Sequence, residues 1–230
     1  MYYTIEPIAY IHNEFKSKFG IPRQSCEESK MISEIIFDEK YKDDNSLRGL
    51  EDYSHIWLLW IFSESDSNKK WSPSVRPPRL GGNKRMGVFA TRSPYHPNRI
   101  GLSCVKIESI EKKDNCGTVI KVIGADLLDG TPIIDIKPYL TFTDSHPDAI
   151  CGFADVTKNY SLDVVFENEF SDIPGETLEN IKVILKQDPR PSYQNDKERV
   201  YGFEYSDYEI KFTVDQNILT VTSISKHERK

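Results

Sequence analysis

Long apolar runs are missing from this 230-residue chain: the longest, Ile56 to Phe62, spans seven residues, far short of the roughly 20 that a membrane-crossing helix needs. The N-terminus also lacks a basic flank followed by an apolar stretch, the pattern of an export signal. Cysteine is scarce, with four scattered residues (Cys26, Cys104, Cys116 and Cys151) and no CxxC pair. His12, His55, His96, His146 and His227 stand apart from one another, so no zinc pattern is expected and no metal is assigned. These absences predict a soluble, unexported, cytoplasmic protein with free thiols. No GxGxxG, GxxxxGK[ST] or GxSxG string occurs, which sets aside dinucleotide-binding sheets, P-loop enzymes and serine hydrolases.

Acid is missing where base is dense. Residues 67 to 107 hold no Asp or Glu, yet they carry Lys69, Lys70, Arg76, Arg79, Lys84, Arg85, Arg92, Arg99 and Lys106. The whole chain has 30 cations, 36 acids and a net charge of −6, so the remainder, with 21 cations, sums to −15. A basic segment within an acidic chain is the footprint of a surface that meets phosphates; solvated loop charges balancing acidic neighbours would give the same count. Within it, Val75 to Gly87 interleaves arginines with prolines that fix φ and glycines that free it. Such a loop is shaped, which lowers the ordering cost of binding a nucleotide.

Short strands are predicted at Tyr2–Ile11, Met31–Phe37, Ser54–Phe62, Met86–Thr91, Ile100–Ile107 and Thr118–Ile123. Two more apolar pieces flank Asp129-Gly130 within Ala125–Tyr139. That order predicts a mainly β barrel or sandwich over residues 1–165. A small α+β domain is expected over residues 166–230. Leu178, Ile181, Ile184 and Leu185 fall on one face of a helix over Glu176–Gln187, which should stop at Asp188-Pro189-Arg190-Pro191. Three strands then follow, Arg199–Tyr205, Tyr208–Val214 and Ile218–Ile224.

Several blocks carry a family resemblance: Pro22-Arg23-Gln24, Leu47 to Glu51, Ser54 to Trp57, Val75 to Pro94, Pro97-Asn98 with Ile100-Gly101, Asp126 to Tyr139, and Asp188 to Arg190 with Pro191 and Tyr193. Together they resemble the TsaA-like, or YaeB-like, family, tRNA methyltransferase O. The likeness runs from about residue 5 to 150 and resumes at Asp188. It implies an S-adenosylmethionine-dependent enzyme that methylates N6 of threonylcarbamoyl-adenosine beside the anticodon of threonine tRNA. It further implies a single-sheeted antiparallel β-barrel and a homodimer with cofactor sites near the subunit interface. By resemblance, the cofactor pocket draws on Pro22, Arg23, Gln24, Ser63, Glu64, Arg92, Leu102, Asp126, Leu127, Leu128 and Asp129. Ser63-Glu64 stands where the family pattern has His-Gln, and Tyr95-His96 replaces a more basic pair.

The residue types suit this chemistry. Arginine can grip a carboxylate through a bidentate fork, aspartate can accept from hydroxyls or amines, and leucines can pack a purine. Arg23 and Arg92 could equally be surface or structural arginines. The Asp129-Gly130 pair reads alone as a hairpin turn, and Asp188 to Pro191 as a helix stop. The acceptor nitrogen is a poor nucleophile until deprotonated, which makes Asp129 and Asp135 candidate bases and His55 a weaker one. Tyr193 is a candidate active-site aromatic. Arg76, Arg79, Lys84, Arg85, Arg99 and Arg190 are the expected RNA contacts, with Phe89 and Tyr95 as stacking surfaces for a single-stranded loop. Two alternatives remain, a non-catalytic RNA-binding barrel and a methyltransferase of another RNA or small molecule.

Overall fold

The computed structural model describes residues 3–22, 24–25, 30–65, 71–80, 84–190 and 196–226. It is mainly β. Six strands form one antiparallel sheet: β1 (Ala9–His12), β2 (Ile32–Phe37), β3 (His55–Ile61), β6 (Ile100–Lys113), β7 (Gly117–Ile123) and β8 (Pro132–Pro138). They are hydrogen-bonded in the closed order β1-β2-β7-β6-β3-β8, with β8 returning to β1 at Ala9–Ile133 and Tyr10–Pro132. Strand alternation sorts the side chains, so Ile56, Leu58 and Trp60 of β3 are buried with Ile11, Ile35, Val105, Ile120, Val122 and Ile133 in one core. The intervening Trp57, Leu59 and Ile61 are half-buried. A strand apolar on both faces explains why the longest apolar run in the chain is β3.

Two short strands, β4 (Ser74–Val75) and β5 (Met86–Gly87), pair antiparallel and staple the ends of the basic loop. A second sheet has the order β10-β11-β12-β9, from β9 (Asp163–Phe166), β10 (Tyr201–Tyr205), β11 (Tyr208–Asp215) and β12 (Ile218–Lys226). Two-residue turns join β10 to β11 and β11 to β12, with Ser206 and Gln216 in the left-handed region. Two short helices, α1 (Thr141–Asp144) and α2 (Phe153–Thr157), lie between the sheets in sequence. Helix α3 (Gly175–Lys186) buries Ile181, Ile184 and Leu185 in a core with Phe203, Ile210, Phe212, Leu219 and Val221. Phe15 and Met31, from the connection between β1 and β2, are buried in this second core too. No helix among the described residues is long and apolar enough to cross a membrane.

Several elements differ from expectation. Of Tyr2–Ile11, among the described residues only the end is strand, as β1. Met86–Thr91 is the two-residue β5 followed by a 3-10 turn at Val88–Ala90, so a single buried valine produced the strand-like pattern. The first half of Ala125–Tyr139 is extended chain outside any ladder, where Ala125 and Leu127 are apolar because they plug the ring core. Strand β6 continues to Lys113, past the expected end at Ile107, as a long hairpin with β7. β9, which straddles the expected boundary between residues 165 and 166, belongs to the second sheet, where it runs parallel to β12.

Candidate functional site

The closed sheet places one polar cluster against its core. Trp60 of β3 faces Gly101 of β6 across the ladder. A Cβ at Gly101 would lie 2.2 Å from an indole carbon of Trp60, so only glycine lets the ring settle against the β6 backbone. From there the Trp60 Nε1–H donates to Ser103 Oγ at 3.0 Å, and Ser103 Oγ donates to Asp126 Oδ1 at 2.5 Å. Asp126 keeps some exposed surface, but its carboxyl group is enclosed. Burial pushes it above the usual carboxylate range, against the Ser103 hydrogen bond and the charge of Arg92. Arg92, exposed, donates from Nη1 to Gln24 Oε1 at 3.0 Å. The structure thus gathers Gln24, Arg92 and Asp126 from three distant parts of the chain.

The other expected cofactor residues differ in exposure. Pro22 is buried, and Arg23 lies outside the described residues. Ser63 and Glu64 are exposed in the turn after β3, where Lys18 donates to the Glu64 carbonyl and sits 3.6 Å from its carboxylate. Leu102 is 43% exposed, while Leu127 is fully buried in the ring core and so turns its side chain away from any open pocket. Leu128 is half-buried.

Asp129 and Asp135 are tied elsewhere. Asp129 Oδ1 accepts from the Asn13 amide at 3.0 Å and lies 3.4 Å from His12 Nδ1, and Lys16 Nζ is 2.9 Å from Oδ2. Burial raises the Asp129 carboxyl, but Lys16, the Asn13 amide and His12 outweigh it and hold the group below the usual range. The turn it heads is also anchored to the first strand, by Gly130 N–H to the Ile11 carbonyl at 2.8 Å. Asp135 lies opposite Leu59 on β8, 2.7 Å from Lys137 Nζ, and accepts from the Ile136 amide at 2.8 Å.

The basic loop leaves Arg76, Lys84 and Arg85 exposed, with Arg85 donating to Ser74 Oγ at 3.2 Å. The side chain of Arg79 lies outside the described residues. Arg99 has φ of 50° and donates to the Ser65 carbonyl at 3.2 Å, tying the end of the loop to the turn after β3. Phe89 (73% exposed) and Tyr95 (46%) stand out on the same segment, with Phe89 edge-on to His96.

Arg190, an expected RNA contact, is paired within the chain. It is 6% exposed and grips Asp188 through both fork arms, Nε to Oδ1 at 2.8 Å and Nη2 to Oδ2 at 3.0 Å. Tyr160 donates to the same carboxylate at 2.7 Å. A side chain so enclosed is committed to the fold. Tyr193 lies outside the described residues.

Residue-type reasoning missed Gly101, Ser103, Trp60 and Lys18 as parts of the site. Gly101 belongs to the Ile100-Gly101 pair that carries the family resemblance, but the contact of Trp60 with it depends on a β3–β6 register that no local pattern encodes.

Comparison with known proteins agrees with this architecture. A family model for the tRNA-methyltransferase O N-terminal domain matches residues 10–145, and one for the TrmO C-terminal domain matches residues 160–227. The chain is similar to the tRNA (adenine(37)-N6)-methyltransferase of Escherichia coli K12, 38% identical over 223 residues, covering 92% of this chain and 93% of that protein. It is also similar to the protein of the same name from Eikenella corrodens, 44% identical over 75% of this chain and 97% of that one. A crystal structure of TrmO from Pseudomonas aeruginosa superposes with a TM-score of 0.78 at 31% identity, covering 99% of this chain and 98% of that one. With both halves matched in order and the fold shared end to end, the chain belongs to the tRNA-methyltransferase O family.

Proposed function

We propose that this chain methylates N6 of adenine 37 in tRNA, with S-adenosylmethionine as methyl donor. The observation that carries the reading is the convergence of Asp126, Arg92 and Gln24, with Arg92 inside an acid-free segment that exposes cations and aromatics. The donor set suits the cofactor: Arg92 pairs with an amino-acid carboxylate, and Asp126 accepts from an ammonium or a ribose hydroxyl. When bound, S-adenosylmethionine supplies a methyl group activated by a positively charged sulfur. The protein's work is to hold the acceptor nitrogen in line with it, exclude water and take up a proton.

For the acceptor, the reading extends to threonylcarbamoyl-adenosine, whose carboxylate Arg76 or Arg79 would grip by the same fork geometry. Asp129, shared between Lys16 and the Asn13 amide and held below the usual range, is poorly matched to proton removal, which leaves Asp135 as the base of that pair. Lys84, Arg85 and Arg76 would face phosphates, and Phe89 and Tyr95 would stack on splayed bases. The closed six-strand order is read as a single-sheeted barrel and the second sheet with α3 as a separate unit, the division falling near residue 160. The apolar outward strip Leu59, Ile61, Ile100 and Leu102 supports a homodimer whose interface passes close to the cofactor site.

The test is calorimetric titration with S-adenosylhomocysteine, followed by mass spectrometry of tRNA incubated with protein and S-adenosylmethionine. Saturable binding that Arg92→Ala abolishes, with methyl gain at adenine 37, is the expected result. No binding at millimolar ligand, with or without tRNA, would replace this reading with a non-catalytic RNA-binding barrel. A preference for threonylcarbamoylated over unmodified loops that survives both Arg76→Ala and Arg79→Ala would remove those arginines from acceptor recognition.

A further inference from the structure

We propose that Ser103 and Trp60 are positioning residues: a one-way hydrogen-bond relay, seated by Gly101, presents the Asp126 carboxyl group as an oriented acceptor for the cofactor. The inference rests on the cofactor reading above and adds residues that touch no ligand themselves.

The direction of the relay is fixed by donor chemistry. An indole N–H can only donate, so at 3.0 Å it occupies the Ser103 oxygen as an acceptor. The single hydroxyl proton of Ser103 is then directed to Asp126 Oδ1. Ser103 is 2% exposed and Trp60 7%, so water does not compete for either group. The indole is itself held by contact with Gly101, where a side chain would collide with the ring. Each link therefore has one arrangement, and the last is a carboxyl oxygen pinned at a known position.

Pinning is needed because burial favours the neutral acid at Asp126, and a neutral acid is a poorer acceptor for an ammonium or hydroxyl group. The Ser103 hydrogen bond opposes that tendency, as does the charge of Arg92. Neither Trp60 nor Ser103 carries charge. Among the described residues, Arg92 is the charged side chain acting on Asp126, and the Ser25 amide adds a hydrogen bond. Removing the serine hydroxyl should raise the Asp126 titration further.

A purely structural role would need only that buried donors and acceptors be matched, so the test must read Asp126 itself. Carbon-detected NMR titration of the Asp126 carboxyl in ligand-free protein should show its midpoint moving upward in Ser103→Ala and, by less, in Trp60→Phe. Calorimetry with S-adenosylhomocysteine should show weaker affinity in Ser103→Ala than in wild type at pH values where the Asp126 carboxyl titrates. The pH dependence of binding should shift in the same direction as the NMR midpoint. An Asp126 titration that coincides with wild type in both variants overturns the relay, even if binding weakens through general loosening of the fold. Unchanged affinity across the pH range in Ser103→Ala overturns the positioning role. An Asp126 titration that shifts in the variants, together with a wild-type protein that binds no S-adenosylhomocysteine, overturns the cofactor reading and this role with it, while leaving the hydrogen-bond chain intact.

Discussion

Asp188 and Asp126 are both acids withdrawn from water, and their surroundings treat them in opposite ways. Asp188, at the end of α3, meets both arms of the Arg190 guanidinium and the Tyr160 hydroxyl. Burial pushes its carboxyl up, but these partners outweigh that and hold it below the usual range. Asp126, in the closed sheet, takes hydrogen bonds from the Ser103 hydroxyl, the Ser25 amide and its own amide, and its arginine also engages Gln24, yet burial outweighs them and pushes its carboxyl up. The first is saturated and contributes to the fold. The second is under-matched, and an under-matched buried acid is a place where a ligand's positive or hydroxyl groups can finish the job.

The largest effect that could break this contrast is on Arg190. Arg190→Ala leaves the Asp188 carboxylate buried without its cation and should cost about 3–5 kcal/mol of stability, read by chemical denaturation. A loss below about 1 kcal/mol would mean that solvent reaches Asp188 and that the two acids are not in contrasting environments.

Next in size is the pH dependence of Asp-to-Asn changes. Asp188, with its folded value lowered, contributes stability that is present above the ordinary carboxylate value, about 3.9, and is lost as pH falls through the folded value. Asp126, with its folded value raised, has the opposite sign: stability falls as pH rises from about 3.9 through the folded value. Asp126→Asn should therefore stabilise the ligand-free protein at neutral pH by on the order of 1 kcal/mol while weakening cofactor binding, and the gain should vanish in acid. Asp188→Asn should destabilise at neutral pH and be nearly neutral in acid. Denaturation curves at a series of pH values decide it, and a destabilised Asp126→Asn protein at neutral pH would break the comparison.

The same contrast shows what sequence can convey. Periodicity found β3, α3 and the hairpins of the second sheet, because Trp60 or Ile181 lies at a spacing that local geometry dictates. It could not find β9, whose four residues pair in parallel with β12 more than 50 positions later, with no turn to announce the partnership. Of the two apolar pieces around Asp129-Gly130 it could not tell that the first lies outside any ladder, because plugging a core and lining a strand leave the same apolar signature. At the site, Asp126, Arg92 and Gln24 were nameable through family blocks, but Ser103 and Trp60 were not, since the relay exists only once β3 and β6 are in register. The enclosure of Arg190 was not legible for a related reason. Its fork partner was two residues away in plain view, but the tyrosines that enclose the pair come from residues 160 and 201.

The smallest effect on the fold should come from a third kind of charge, the cations exposed on the basic loop. Lys84 and Arg85 are exposed, and Arg85 makes a long hydrogen bond to Ser74. Lys84→Ala and Arg85→Ala together should leave stability within about 0.5 kcal/mol. Their consequence belongs to the partner: tRNA affinity should weaken, and the slope of log K against log salt should flatten by roughly 0.7 to 0.9 for each phosphate contact removed. Fluorescence anisotropy with labelled tRNA across a salt series measures both quantities. An unchanged slope would place the phosphate-binding surface elsewhere, and a large loss of stability would mean that these charges, like Asp188 and Arg190, are matched within the fold.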